Sequence, residues 1–150
     1  MRRQGGFSYV VVMFLVAVLS LVSVRALENS LTAERRDKEA QLLLVGQAYR
    51  DAIRAYQQGS PGLDRTWPAQ VKDLLLDERT SSMRRPLRKL YRDPITGSAE
   101  WGYVYRDDKL IGVYSLSRLK PLKRDGFTAD QVGFKDAATY QQWRFVYDPK

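Results

Sequence analysis

The stretch FSYVVVMFLVAVLSLVSV, from Phe7 to Val24, decides the fold of this chain. Its eighteen residues contain no charge, proline or glycine, and twelve of them are Phe, Leu or Val. As an α-helix the stretch would span about 27 Å, which is close to the hydrocarbon thickness of a bilayer. The twelve large apolar side chains favour insertion by about 5 kcal/mol. We therefore predict a transmembrane helix.

Three fates are open to this segment. A signal peptide could be cut after Ala26, although the apolar run is longer than a usual signal sequence. The segment could instead be a plain signal anchor. Thirdly, it could lose a short leader on its cytoplasmic side and keep the apolar helix. The pair Gly5-Gly6, directly before Phe7, favours the third fate because glycine has no Cβ and leaves the backbone open to a peptidase.

Downstream of the apolar run, the pattern predicts that the helix continues to Gln58. The stretch 27–58 is rich in helix-forming residues, with no proline and one internal glycine, Gly46. The charged residues 35–39 indicate a solvated surface. Apolar positions then recur at spacings of three and four, typical of one buried helix face. These are Leu42, Val45, Tyr49, Ala52, Ile53 and Tyr56.

Glycine and proline in GSPGLD, residues 59–64, end the helix, and a small α+β head is predicted to follow. Aromatic and β-branched residues on both sides of Asp107-Asp108 predict a β-hairpin, and alternation near the C-terminal end predicts a last strand. The predicted elements are a short helix within Trp67–Asp77, strands near Trp101–Arg106 and Leu110–Ser115, a long loop over Leu116–Thr139, and a strand within Gln142–Asp148.

The amino-acid composition excludes several classes of function. The 150 residues include 25 Lys and Arg against 17 Asp and Glu, a net charge of +8, with no cysteine and no histidine. Without these two residue types, thiolate chemistry, Ser-His-Asp triads and histidine zinc sites are impossible. The positive charge suits anionic lipid or an acidic partner, whereas the signatures of nucleic-acid-binding domains are missing. We expect no enzyme, no cofactor and no nucleic acid partner.

The junction of basic leader, glycine and apolar helix resembles the class III signal of type IV pilins and type II secretion pseudopilins. Arg2 and Arg3 lie upstream, Gly6 precedes the cut and Phe7 follows it. The resemblance implies that a prepilin peptidase removes the leader and methylates the new amino terminus on Phe7. It also implies a pilin-like fold, in which a long N-terminal helix, transmembrane in its first half, packs on a small antiparallel β-sheet head.

The same resemblance implies a domain organisation and a location. Residues 1–6 would be the prepilin leader, 7–58 the transmembrane and amphipathic helix spine, and 59–150 the periplasmic globular head. The chain would cross the bacterial inner membrane once, with its N-terminus in the cytoplasm and its C-terminal domain in the periplasm.

Val11 departs from the family pattern. It would be the fifth residue of the mature chain, where these families normally carry a glutamate that is thought to pair with a neighbour's amino terminus. A charge in lipid costs about 3 kcal/mol, so the glutamate is worth keeping only with a partner. The resemblance therefore implies a minor subunit, placed at a filament tip. The close-approach points between helices would be the small residues Ala17, Ser20 and Ser23.

A basic segment, MRRPLRKLYR from Met83 to Arg92, has two interpretations. A run of charge is commonly a solvated face. Alternatively, the segment contacts a membrane surface or an acidic partner subunit through Arg84, Arg85, Arg88, Lys89 and Arg92.

A calcium site is not predicted, although major pseudopilins hold the ion in a C-terminal loop. Calcium needs six to eight oxygen ligands, and the neighbouring Lys109, Lys123 and Arg124 would oppose it. The acidic candidates are therefore interpreted as turn caps, and no metal is expected. They are Asp107, Asp108, Asp125 and Asp130.

We therefore expect a minor pseudopilin or pilin-like structural subunit that assembles into a periplasmic pilus or pseudopilus for type II protein secretion or type IV pilus biogenesis. Its implied partners are other pilin or pseudopilin subunits, the prepilin peptidase, an inner-membrane assembly platform and membrane lipid. The alternative is a single-pass, membrane-anchored periplasmic binding domain that does not assemble.

Overall fold

The computed structural model describes residues 5–62, 64–79 and 83–149. For Gly5 and Gly6 it describes the backbone only. The α+β fold is confirmed, because a long N-terminal helix precedes a three-stranded antiparallel sheet. Helix α1 extends from Gly5 to Gln58, a run of 54 residues. The chain divides into two compact units, and their boundary lies within α1, between Arg36 and Asp37.

The first unit contains the amino-terminal part of α1. All its described side chains from Phe7 to Glu34 are exposed. Its most apolar window has a mean hydropathy of 2.6, and none of that window is buried in the structure. Within the described residues, α1 is the one helix long and apolar enough to cross a membrane. A helix apolar on all sides requires a protein or lipid environment around it.

The second unit buries the predicted face of α1. Leu42, Tyr49, Ala52, Ile53 and Tyr56 are all buried in its core, which confirms the spacing argument. Val45 lies at the edge of the same core and is partly buried. The face is apolar at intervals of three and four residues, so successive side chains point to the same side of the helix.

The sheet contains three strands in the order β1-β2-β3. Strand β1 (Gly102–Arg106) and strand β2 (Lys109–Tyr114) form the predicted hairpin, and β3 (Arg144–Val146) lies antiparallel to β2. The hairpin turn places Asp107 and Asp108 at positive φ angles of 49° and 58°. This is the left-handed backbone that a two-residue hairpin turn requires, and aspartate tolerates it better than most residues.

A glycine brings the sheet close to α1. A Cβ atom on Gly46 would lie 2.3 Å from the ring of Phe145, a distance that real Cβ contacts do not reach. Phe145 is buried, and the ring of Phe134 meets it edge-on with 5.2 Å between centroids. Gly46 therefore leaves the space that allows β3 to approach the helix.

The connections contain short 3-10 helices. The predicted second helix is a four-residue 3-10 helix, Val71–Leu74, rather than an α-helix. It ends early because the chain turns into an antiparallel bridge between Asp77 and Arg84. The long loop predicted after β2 contains another 3-10 helix, Ala129–Phe134, and a third, Tyr140–Gln142, precedes β3.

Candidate functional site

The predicted cleavage junction lies at the start of α1. Gly6 and Phe7 are in the first turns of the helix, and the side chain of Phe7 is 79% exposed. The leader arginines Arg2 and Arg3 lie outside the described residues. The cut and the methylation therefore stay predictions.

The predicted assembly residues Val11, Ala17, Ser20 and Ser23 are all exposed on the first unit. The Ser20 hydroxyl donates to the carbonyl oxygen of Val16 at 2.8 Å, and the Ser23 hydroxyl donates to that of Leu19 at 2.8 Å. Both hydroxyl protons are thus satisfied within the helix. These serines offer a neighbouring helix a small surface and need no hydrogen bond from it.

The basic segment is ordered by backbone and side-chain contacts. The amide of Asp77 donates to the Arg84 carbonyl, and the amide of Leu87 donates to the Leu74 carbonyl, each at 2.8 Å. Leu87 is buried. At the far end, the amide of Tyr91 donates to the Tyr49 hydroxyl at 2.9 Å.

All five cationic side chains of the basic segment point outward and are exposed. Two of these side chains also contact neighbouring groups of the head. Arg92 donates to the Gly97 carbonyl at 3.1 Å, and the Lys89 ammonium lies 5.4 Å from the Tyr91 ring centroid. Leu87 is buried and Pro86 and Tyr91 are partly buried, so the segment has an apolar inner side, and its cations lie on the outer side.

A second arginine site, which the sequence did not predict, lies beside the basic segment. Arg79 donates two hydrogen bonds to the carboxylate of Asp77, at 2.7 and 2.8 Å. It also donates to the Tyr56 carbonyl near the end of α1, to the Ser60 hydroxyl and to that of Thr66. The hydrogen bond from the Arg79 guanidinium holds the pKa of Asp77 below its ordinary value of 3.8.

The burial of Glu39 corrects the predicted solvated surface at residues 35–39. Glu39 is 3% exposed. Its carboxylate accepts hydrogen bonds from the amides of Leu122 and Lys123 and from the Tyr140 hydroxyl. The reason is tertiary, because the loop after β2 brings these donors to the helix. One signal was present, since Glu39 lies one turn before Leu42, on the same side of the helix.

The four acidic calcium candidates have different structural roles. Asp130 forms an ion pair with Arg50 at 2.6 Å, and Asp125 forms one with Lys135 at 3.1 Å. Asp107 and Asp108 form the hairpin turn described above. Within the part of the chain that the structure describes, no three acidic side chains are grouped so that they could hold a metal ion.

Comparison of the sequence with protein-family models, with curated proteins and with solved structures gave no match.

Proposed function

We propose that this chain is a minor pilin-like subunit of a bacterial type II secretion or type IV pilus machine. The supporting observation is the change of character along α1, a single helix from Gly5 to Gln58. Its amino-terminal part is apolar and exposed, and its later part buries one face in a small domain with an antiparallel sheet. The glycine-phenylalanine junction at the start of the helix adds the resemblance to a prepilin cleavage signal.

The proposed mechanism is mechanical. A prepilin peptidase cuts after Gly6 and methylates Phe7. Before assembly, the apolar helix remains in the inner membrane, with the head in the periplasm. An assembly platform then lifts the helix into a filament, where neighbouring helices replace lipid around it. Lipid tails are as apolar as the side chains, so this exchange depends on shape, and small residues such as Ala17 and Ser20 permit close approach.

Val11 supports the assignment to a minor subunit. Its side chain has no charge, so it can form no ion pair with the amino terminus of a neighbour in lipid. A subunit without this pairing is suited to a place with few neighbours, such as the filament tip. The same residue also favours the alternative, a membrane-tethered periplasmic domain that does not assemble.

The intact mass of the chain, extracted from membranes of a bacterium that has a prepilin peptidase, distinguishes these functions. We expect the mass of a chain that begins with N-methyl-Phe7. A chain beginning at Met1 would indicate a plain anchor and contradict the proposal, and a chain beginning at Leu27 would indicate a secreted product. As a matched pair, Gly6→Val should retain the leader, whereas Gly5→Val should not.

A further inference from the structure

Among the described residues, the cations of the basic segment form no ion pair, although after the hydrogen bond from Arg79 the charge of Arg84 also lowers the pKa of Asp77. Arg85, Arg88 and Lys89 take part in none of the ion pairs formed by described residues, and neither do Arg84 and Arg92. Elsewhere in the second unit several cations are paired, for example Arg50 with Asp130 and Arg106 with Asp148.

Asp77 and Asp93, two of the carboxylates that flank the basic segment in sequence, are committed to other contacts, whereas the third, Glu78, is exposed. Asp77, which bridges to Arg84 through its backbone, is buried, and its carboxylate accepts three hydrogen bonds, all from Arg79. Asp93 directly follows the segment and is also buried. It accepts from the amide of Ile95 at 2.9 Å and from the Ser115 hydroxyl at 2.6 Å. Neither Asp77 nor Asp93 is available to the outer side of the segment.

The backbone of the segment is held in place, so the positions from which its cations extend are fixed. Leu87 and Tyr91 anchor it to the core, and the Trp101 indole donates to the Tyr91 carbonyl at 2.8 Å. Ordered like charges repel one another, and a fold that retains them without carboxylates among them loses some stability. A partner of opposite charge would recover that loss.

We propose that the outer side of Met83–Arg92 is a docking surface for an acidic protein surface. Four of its five cations are arginines, whose planar fork matches the two oxygens of a carboxylate. Two apolar side chains accompany them, Met83 at 81% exposure and Leu90 at 44%. Methionine and arginine are enriched in protein interfaces, which favours a protein partner.

An anionic bilayer is the competing occupant. Lipid headgroups rearrange around any basic cluster, so lipid binding requires no fixed arrangement of the cations. The anchoring contacts at Leu87 and Tyr91 therefore favour a structured acidic surface over a fluid one. Filament assembly is not a premise of this inference, since the docking surface belongs to the second unit alone.

The test uses the full chain, reconstituted in nanodiscs of neutral lipid, and fluorescent poly-L-glutamate as the probe. Binding is followed by fluorescence anisotropy at low and high salt. We expect Arg85→Glu together with Arg88→Glu to weaken binding by about tenfold or more. Arg118→Glu together with Arg124→Glu is the matched control, because it makes the same change in net charge at exposed positions outside the segment. This control should change the affinity by less than about twofold.

Three outcomes would overturn the inference. Equal loss in both double variants would show that binding follows net charge only. Suppression of the binding by anionic phosphatidylglycerol in the nanodiscs would identify lipid as the occupant. Stronger displacement of the probe by duplex DNA than by unlabelled poly-L-glutamate would identify nucleic acid. Arg85→Gln with Arg88→Gln, checked for unchanged tryptophan fluorescence, separates loss of charge from loss of folding.

Discussion

The guanidinium of Arg79 lies 3.5 Å from the centroid of the Tyr56 ring and donates a hydrogen bond of 2.7 Å to the carbonyl oxygen of the same residue. Helix α1 has no basic residue in its last turn. Arg79 therefore supplies, from a later part of the chain, the positive charge that a helix C-terminus favours. Its paired bonds to Asp77 join this helix end to the chain that leads to the basic segment.

Removal of Arg79 should destabilise the head. We expect Arg79→Ala to lower the free energy of unfolding by about 3 kcal/mol, because the buried carboxylate of Asp77 would lose its partner. Arg79→Lys should be less harmful, since it keeps the charge but loses the fork. Thermal unfolding of the full chain in detergent, followed by tryptophan fluorescence, measures both. Arg65→Ala, at an exposed position, is the control, and an equal effect there would contradict the prediction.

Acid should weaken the same contact. Arg79 lowers the pKa of folded Asp77 from its ordinary value of 3.8. A carboxyl with a lowered pKa in the folded state contributes stability that is complete above the unfolded pKa and is lost as the pH falls through the folded pKa. The melting temperature should therefore decrease below about pH 4, and Asp77→Asn should make that decrease smaller. An unchanged acid slope in Asp77→Asn would show that other carboxyls cause it.

Gly46 should not tolerate a side chain. Gly46→Ala places a Cβ 2.3 Å from the Phe145 ring, and we expect a loss of about 2 kcal/mol from overpacking. Gly133→Ala is the matched control, because a Cβ there meets no atom within 4 Å. Chemical denaturation compares the two variants. Similar stabilities would mean that β3 does not approach the helix closely at Gly46.

Glu39 should hold the loop that follows β2 against the helix. Glu39→Ala leaves the amides of Leu122 and Lys123 without their acceptor, and we expect a loss of about 3 kcal/mol. The rate of hydrogen exchange should increase more at these two amides than at the amides of β2. Asp37→Ala, on the exposed side of α1, should leave the exchange unchanged. Uniformly faster exchange throughout the head would instead indicate global destabilisation.

Val11 offers a gain-of-function test of assembly. Val11→Glu restores the carboxylate that the pilin resemblance leads one to expect, and it should raise incorporation of the chain into filaments. The measurement is the amount of the variant in shear-released filaments, relative to wild type. Val12→Glu carries the same charge at the neighbouring position and should not assemble better. Unchanged or lower incorporation of Val11→Glu would count against the tip assignment.

The elements could be predicted because they depend on local pattern. Spacings of three and four identified the buried face of α1, and aromatic alternation identified the strand that contains Phe145. Aromatic and β-branched residues on both sides of Asp107-Asp108 also predict the hairpin that the structure contains. Each of these signals lies within a few residues of the element that it describes.

The polar contacts could not be predicted in the same way. Glu39 is one of several charged residues in a row, and its burial depends on donors that arrive from Leu122 and Tyr140. Nothing in the local sequence distinguishes Arg79 from the other arginines as the one that contacts the end of α1. Such contacts follow from tertiary arrangement, which residue spacing does not encode.

The position of Gly46 has a consequence for the order of biogenesis. The space beside this glycine is filled by the Phe145 ring, and the hydrogen bond from Tyr140 to Glu39 joins residues 101 positions apart. The helix is therefore synthesised long before the side chains that complete its core. Contacts of such wide separation form late and slowly. The nascent chain therefore emerges from the ribosome with the whole of α1 synthesised, and its head can fold only after Phe145 has been translated.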